Sequence, residues 1–139
     1  MIGRLVATAL VFAGAMPAMA GDLMVTIAGV SDAPGAIHIG LYDSDETFRD
    51  PDRAVGFHWV PAAPGRVQAT FSDVAPGLYA VMAFHDADGN GSMNRFLGMI
   101  PTEGYALSKD PEVSGPPPFS ESAFTVGPGG AAIEATLKY

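Results

Sequence analysis

The chain contains no cysteine among its 139 residues, so no disulfide can hold its fold together. Basic residues are scarce, with 7 Lys and Arg against 15 Asp and Glu and a formal net charge of −8. Nucleic acids and anionic membrane surfaces are recognised by basic patches, so we expect neither as a partner. The surplus of acidic residues instead favours a protein that attracts cations.

Long apolar runs are absent after residue 20. The single run, residues 5–16, is too short for the roughly 20 residues of a membrane-spanning helix. It follows a positively charged start containing Arg4 and precedes A-M-A ending at Ala20, which is typical of a signal peptidase site. We therefore predict a signal peptide over residues 1–20 and one domain over residues 21–139. We expect a periplasmic or secreted protein that is not inserted in a membrane after cleavage.

Long helical patterns are lacking too, and short alternating segments lie between turns rich in Gly and Pro. The sequence predicts seven strands, at residues 22–28, 36–42, 57–60, 66–71, 78–85, 123–126 and 131–138. Short strands with turns every eight to twelve residues are typical of an all-β, antiparallel Greek-key sandwich of the immunoglobulin-like kind. A small barrel is the alternative.

The fifth predicted strand is apolar on both faces, which indicates a central, covered strand. The connection that follows, residues 86–122, is unusually long for a compact domain and is therefore expected to be functional or disordered. Its apolar residues, among them Leu107 and Phe119, argue against disorder. We predict one long ordered loop that packs over an end or edge of the sandwich.

The stretch HDADGNGSMN at the start of this loop matches the first part of a calcium-binding loop. Oxygen ligands at alternate positions suit Ca²⁺, and the expected ligands are Asp86, Asp88, Asn90, Ser92 through its carbonyl, and Asn94. The twelfth position is Leu97 where an EF-hand has a bidentate Glu, and a strand precedes the loop, so this is no EF-hand. Glu103 is the nearest acid that could complete the shell.

The same residues also form turns without a metal. Asn90-Gly91 is a preferred type I′ turn dipeptide, and Asp side chains make Asx-turns on their own. Both interpretations of the loop stay open on the sequence alone.

Evidence for zinc or for catalysis is weak. His38, His58 and His85 lie on three different predicted strands, and none has a second ligand at a recognised zinc spacing. We expect His58 to face solvent or a partly polar sheet face, and His85 to orient the loop. A hydrolase-like enzyme using His85, Asp86 and Glu103 is the alternative, and it requires those three side chains to meet in an open cleft.

Aromatic side chains offer a third possibility, a carbohydrate-binding module of the cell envelope. Exposed aromatic faces stack on sugars, and the candidates are Tyr42, Trp59, Tyr79 and Tyr105. A single Trp on an alternating strand is, however, more often part of a core.

The region from Asp73 onward resembles a family of small exported bacterial proteins that is known only as a domain of unknown function. The resemblance rests on an HDxxxNG motif followed by GxPxEGYxxS, and it covers essentially the whole mature chain. This loop departs from the pattern by one additional residue, at Met99-Ile100, and by Asn94 where an Asp is common. The matched positions are His85, Asp86, Asn90, Gly91, Gly98, Pro101, Glu103, Gly104, Tyr105 and Ser108.

The segment before the loop is also similar to transthyretin-like and carboxypeptidase-regulatory domains, which implies a seven-stranded sandwich. Fold alone does not give function, and the family brings no established activity. We expect a binding or structural module without catalysis, with an envelope glycan or protein as its partner. Ca²⁺ would stabilise it through the Asp86–Asn94 loop if the metal interpretation of that loop holds.

Overall fold

The computed structural model describes residues 20–32, 34–89, 95–96, 100–101, 104–113 and 115–139. A 3-10 helix, Pro51–Arg53, and a one-turn helix α1, Phe119–Ser122, accompany the strands. The strands are β1 Gly21–Val30, β2 Ala36–Tyr42, β3 Gly56–Pro61, β4 Gly65–Val74, β5 Gly77–Asp86, β6 Arg95–Phe96, β7 Ile100–Pro101, β8 Tyr105–Leu107, β9 Phe124–Val126 and β10 Ala131–Thr136. All seven predicted strands are present, as β1 to β5, β9 and β10.

Two sheets form the fold, which confirms the prediction of an all-β sandwich. The first sheet has three strands in the order β10-β1-β4. The second has five, in the order β3-β2-β5-β8, with β9 paired to the beginning of β5. Strands β6 and β7 pair only with each other in the described part of the chain.

The prediction of wholly antiparallel pairing is wrong at one place. Strands β1 and β10 run parallel, from Leu23 opposite Ala131 to Ala28 opposite Thr136. A hairpin would force antiparallel neighbours, but β10 enters the first sheet directly after β9, which belongs to the second sheet. The direction of β10 is therefore set by this crossover and not by a turn from β1.

The space between the sheets is filled by every second side chain of the strands, because side chains of a strand alternate between its two faces. Burying each large aliphatic side chain stabilises the fold by about 1.5–3 kcal/mol, which takes the place of disulfides. The buried side chains include Leu23, Val25, Ile27, Val67, Ala69, Phe71 and Ala135 of the first sheet and Ile37, Ile39, Leu41, Val81, Ala83 and Ala106 of the second.

Strand β5 lies between β2 and β8 and is buried on both faces, as predicted. On its outer face, Ala80 and Met82 pack with Tyr42, Phe48 and Leu107. Burial, with a smaller contribution from the nearby Asp50 carboxylate, raises the pKa of Tyr42 to about 12, so its phenol stays neutral over the whole physiological range.

The long connection after β5 contains short strands in its described part, which corrects the prediction of a single long ordered loop. Strand β8 pairs with β5 through Met82 opposite Leu107 and Phe84 opposite Tyr105. Phe119 meets Phe48 edge to face, with ring centroids 5.9 Å apart. Leu107 and Phe119 thus pack against the outer face of the second sheet, whereas the prediction placed them over an end or edge of the sandwich. The three-residue strand was missed because so short a segment carries little alternation.

The turn between β4 and β5 is fixed by a tyrosine corner. The Tyr79 hydroxyl donates a hydrogen bond of 2.7 Å to the carbonyl oxygen of Ala75, four residues upstream. This arrangement is characteristic of Greek-key sandwiches, where it anchors the loop that joins the two sheets. No helix in the part of the chain described here is long and apolar enough to cross a membrane.

Candidate functional site

The outer face of the second sheet carries three stacked rings, one from each of three neighbouring strands. His38 of β2 lies directly opposite Trp59 of β3 on one side and Phe84 of β5 on the other. The His38 ring centroid is 3.9 Å from that of Trp59 and 4.5 Å from that of Phe84, with interplanar angles of 34° and 33°. The three rings stack because the register of the strands places these residues directly opposite one another.

The stack changes from buried to exposed across the sheet. His38 is only 1% exposed and Phe84 is buried, whereas Trp59 is 60% exposed. One part of the Trp59 ring thus covers His38, and the rest faces outward. The expectation that this Trp belongs to the core is wrong, because its strand lies at the edge of the sheet.

A buried acid accompanies the stack. An oxygen of the Asp86 carboxylate lies 3.1 Å from Nε2 of His38, and both side chains are 1% exposed. Asp86 is the last residue of β5 and shares the outer face with Phe84, two residues earlier. Sequence reasoning missed the pairing with His38. The signal was available in the alternation of β2 and β5, which places both residues on one sheet face.

Asp86 and Asp88 are the only two of the six predicted calcium ligands that lie in the described part of the chain. Asp88 is exposed in the turn after β5, and Gly89 follows with a left-handed φ of 70°. The other predicted ligands, Asn90, Ser92, Asn94 and Glu103, lie outside the described residues. Among the residues that are described, no group of three or more His, Asp or Glu side chains is arranged to hold a metal ion.

His85 lies on the opposite face of β5 from Asp86 and is also 1% exposed. Its Nε2 is 2.7 Å from the carbonyl oxygen of Pro34, which can only accept, so Nε2 carries the proton and donates. Its Nδ1 is 2.9 Å from the Tyr139 hydroxyl, which in turn accepts from the backbone N–H of Ser31 at 3.1 Å. His85 therefore ties three segments together.

Ser108, the last matched residue of the GxPxEGYxxS motif, is fully engaged in the interior. Its hydroxyl donates to the Ser122 carbonyl at 2.6 Å and accepts from the Val81 backbone N–H at 2.9 Å. Its own N–H donates to the Val81 carbonyl at 3.0 Å. Ser108 thus joins the end of α1 to β5.

The four predicted sugar-contacting aromatics do not form one surface. Tyr42 is buried in the outer-face cluster, which corrects its assignment to a platform. Tyr79 and Tyr105 are half-buried, and Trp59 alone is exposed. His58, predicted to face solvent or a partly polar sheet face, is half-buried and meets Phe71 edge to face, with ring centroids 4.6 Å apart.

Fold and site together define a small all-β sandwich domain with a ring stack and a buried His–Asp pair on the outer face of its larger sheet. The chain belongs to the family described as "Uncharacterized protein conserved in bacteria (DUF2141)", whose model matches residues 25–134. That match confirms the predicted membership of a family of unknown function. No curated protein and no solved structure matches the chain.

Proposed function

We propose that the chain is an exported, non-catalytic binding module, periplasmic or secreted, that contacts a carbohydrate of the cell envelope through Trp59. The observation that carries this proposal is the exposure of Trp59 above a buried ring. Stacking on His38 holds the indole in one orientation, so a sugar that packs on it meets a surface that is already ordered. Such preorganisation lowers the entropic cost of binding.

The hydrogen bonds that His85 and Ser108 make inside the fold support a binding role. His85 and Ser108 are each 1% exposed, and their polar side-chain atoms bond to backbone carbonyls, backbone N–H groups or Tyr139. A general base must reach the proton that it abstracts, within about 3 Å or through one water. His85 is directed away from the face that carries Asp86, so the His85, Asp86 and Glu103 hydrolase is not the function we propose.

Titration with soluble envelope oligosaccharides tests the proposal directly. Trp59 is the single tryptophan of the chain, so its intrinsic fluorescence reports on this site alone. We expect a saturable blue shift on binding, and a loss of affinity of at least tenfold in Trp59→Ala measured by calorimetry. Met24→Ala is the matched control, because Met24 is an exposed apolar residue on the other sheet. Unchanged fluorescence across the oligosaccharide panel would contradict the sugar assignment.

The proposal includes Ca²⁺ as a stabilising ion in the loop that starts at Asp86. Its support is chemical, since two carboxylates flank the turn that leaves β5 and the chain is strongly acidic. Bound Ca²⁺ would order the loop through Asp86, Asp88, Asn90, Ser92, Asn94 and Glu103.

Thermal melting of the chain without residues 1–20, with and without Ca²⁺, tests the ion. Linkage predicts stabilisation by about 2.7 kcal/mol at a hundredfold excess over Kd. We expect Asp88→Ala to abolish the shift in Tm, and Asp22→Ala, an exposed acid outside the loop, to preserve it. A chain that melts at the same temperature under both conditions refutes the calcium proposal.

A further inference from the structure

A groove of about 470 Å³ runs along one side of the sandwich, between the edges of β3 and β4. In the described part of the chain β3 pairs only with β2, and β4 only with β1, so each presents an unpaired edge here. The volume falls within the roughly 300–1,000 Å³ that small-molecule sites occupy. Phe57, on the wall of the groove, shares the face of β3 that carries Trp59, with ring centroids 6.3 Å apart, so the groove adjoins the ring stack, although Trp59 is not among its lining residues.

Aromatic rings form much of the wall of the groove. Phe57 and His58 line it from β3, Phe71 from β4, and Tyr79 from the start of β5. His58 and Phe71 stand edge to face, with an interplanar angle of 68°. The hydroxyl of Tyr79 is used in the tyrosine corner, so Tyr79 offers its ring to a ligand. This wall suits an apolar, preferably flat, body.

Three polar side chains converge on the same groove with hydrogen-bonding capacity that the structure does not use. They are His58, Ser72 and Asp73, and no hydrogen bond or ion pair joins these side chains to any described residue. The buried polar side chains of His85 and Ser108 differ from these three, because they make hydrogen bonds within the fold. Without a hydrogen bond between Ser72, His58 and Asp73, the three do not form a catalytic triad.

Local backbone geometry directs Asp73 to this place. The register of β1 and β4 shifts between Gly21 opposite Val74 and Leu23 opposite Phe71, which inserts an additional residue into β4. Asp73 sits in this bulge with a left-handed φ of 57°. A β-bulge changes the direction of the side chains beside it, and bulges are common next to functional sites. A left-handed backbone conformation at a residue other than glycine persists where the surrounding structure enforces it.

The negative charge at the groove favours a cationic ligand. Among the described side chains around the groove, Asp73 is the only carboxylate. The chain as a whole has a net charge of −8, which attracts cations to its surface. We propose that this groove binds a small organic ammonium ion with an aromatic or alkyl body. The ammonium group donates to Asp73 and Ser72, and the body packs against Phe57, His58 and Phe71.

Binding of 2-phenylethylamine, measured by calorimetry and by NMR shift changes of the groove residues, tests this inference. Two probes of the same shape are the ligand controls, neutral 2-phenylethanol and anionic phenylacetate. We expect the amine to bind at least tenfold more tightly than the alcohol, and phenylacetate not to bind. Equal affinity for amine and alcohol would overturn the charge argument, and no binding of the amine would overturn the site.

Asp73→Asn is the decisive variant. Asparagine adopts the left-handed conformation as readily as aspartate, so the fold is retained while the charge is lost. We expect the amine affinity to fall at least tenfold in Asp73→Asn and to stay unchanged in Asp22→Asn. A full affinity in Asp73→Asn, with its fold verified by NMR, overturns the proposal. Oligosaccharide binding that persists in Asp73→Asn separates this groove from the sugar-binding proposal.

Discussion

Replacing Gly35 with alanine is expected to destabilise the domain by at least about 3 kcal/mol. Gly35 has a left-handed φ of 75°. A Cβ there would lie 1.8 Å from the carbonyl oxygen of Asp86 and 2.9 Å from Cα of Ala87. These are backbone atoms, so the clash can be relieved only by moving the strands.

Gly35 occupies a position where three segments meet. Its carbonyl accepts a hydrogen bond of 3.2 Å from the N–H of Ala62, just after β3. The next residue, Ala36, pairs with Asp86 at the end of β5 and with Pro61 at the end of β3. Displacing Gly35 therefore separates the central strand β2 from both of its neighbours, and it disturbs the backbone that carries Asp86.

Gly77→Ala provides the matched control, because Gly77 has the same sequence neighbours as Gly35, a proline before it and a strand after it. Both glycines follow a proline and open a strand, and Pro34-Gly35 and Pro76-Gly77 look alike in the sequence. A Cβ at Gly77, however, would meet only Tyr79 at 3.6 Å, which is ordinary contact. Urea unfolding should show a change of about 1 kcal/mol or less for Gly77→Ala. Equal losses for the two variants would contradict the close approach at Gly35.

The strands were predictable because their signals are local. Alternation in β1, β2 and β4 and the turn residues between them placed seven strands within about three residues of their ends. The parallel pairing of β1 with β10 depends on a crossover between sheets, which no local pattern encodes. The short strand β8 is held by its partner β5, so its existence depends on tertiary contacts and not on its own three residues.

The candidate site shows where sequence adjacency misleads. His85 and Asp86 are neighbours in the HDxxxNG motif, and the hydrolase hypothesis joined them in one cleft. Both belong to β5, so alternation sends them to opposite faces of the sheet. His85 meets Pro34 and Tyr139, and Asp86 meets His38. Extending the alternation of the predicted strand by one residue, to Asp86, would have separated them, whereas the partner Tyr139, 54 residues away, could not be read from the sequence.

The buried His38–Asp86 pair is expected to contribute far more to stability than an exposed pair of the same length. Asp86→Ala removes the carboxylate from a side chain that is 1% exposed and leaves His38 buried without it. Removing the partner of a buried polar group typically costs about 1–3 kcal/mol, because the group that remains stays desolvated. We expect a loss in this range by urea unfolding.

Arg66 and Glu134 supply the control, since Nε of Arg66 lies 3.3 Å from a Glu134 oxygen while both side chains are largely exposed. Water solvates whichever partner remains, so Glu134→Ala should cost about 1 kcal/mol or less. A loss in Asp86→Ala no larger than in Glu134→Ala would contradict the role of burial.

A double-mutant cycle isolates the pair from the other contacts of Asp86. Because His38 also packs between Trp59 and Phe84, His38→Leu keeps an apolar side chain in the stack. If the pair is coupled, His38→Leu combined with Asp86→Ala should cost less than the sum of the single changes by about 1–3 kcal/mol. The fluorescence of Trp59 should change in both variants that contain His38→Leu, since the indole loses the imidazole beneath it. Additive losses would mean that Asp86 acts through other neighbours, and the His38–Asp86 contact would then be a consequence of the sheet register.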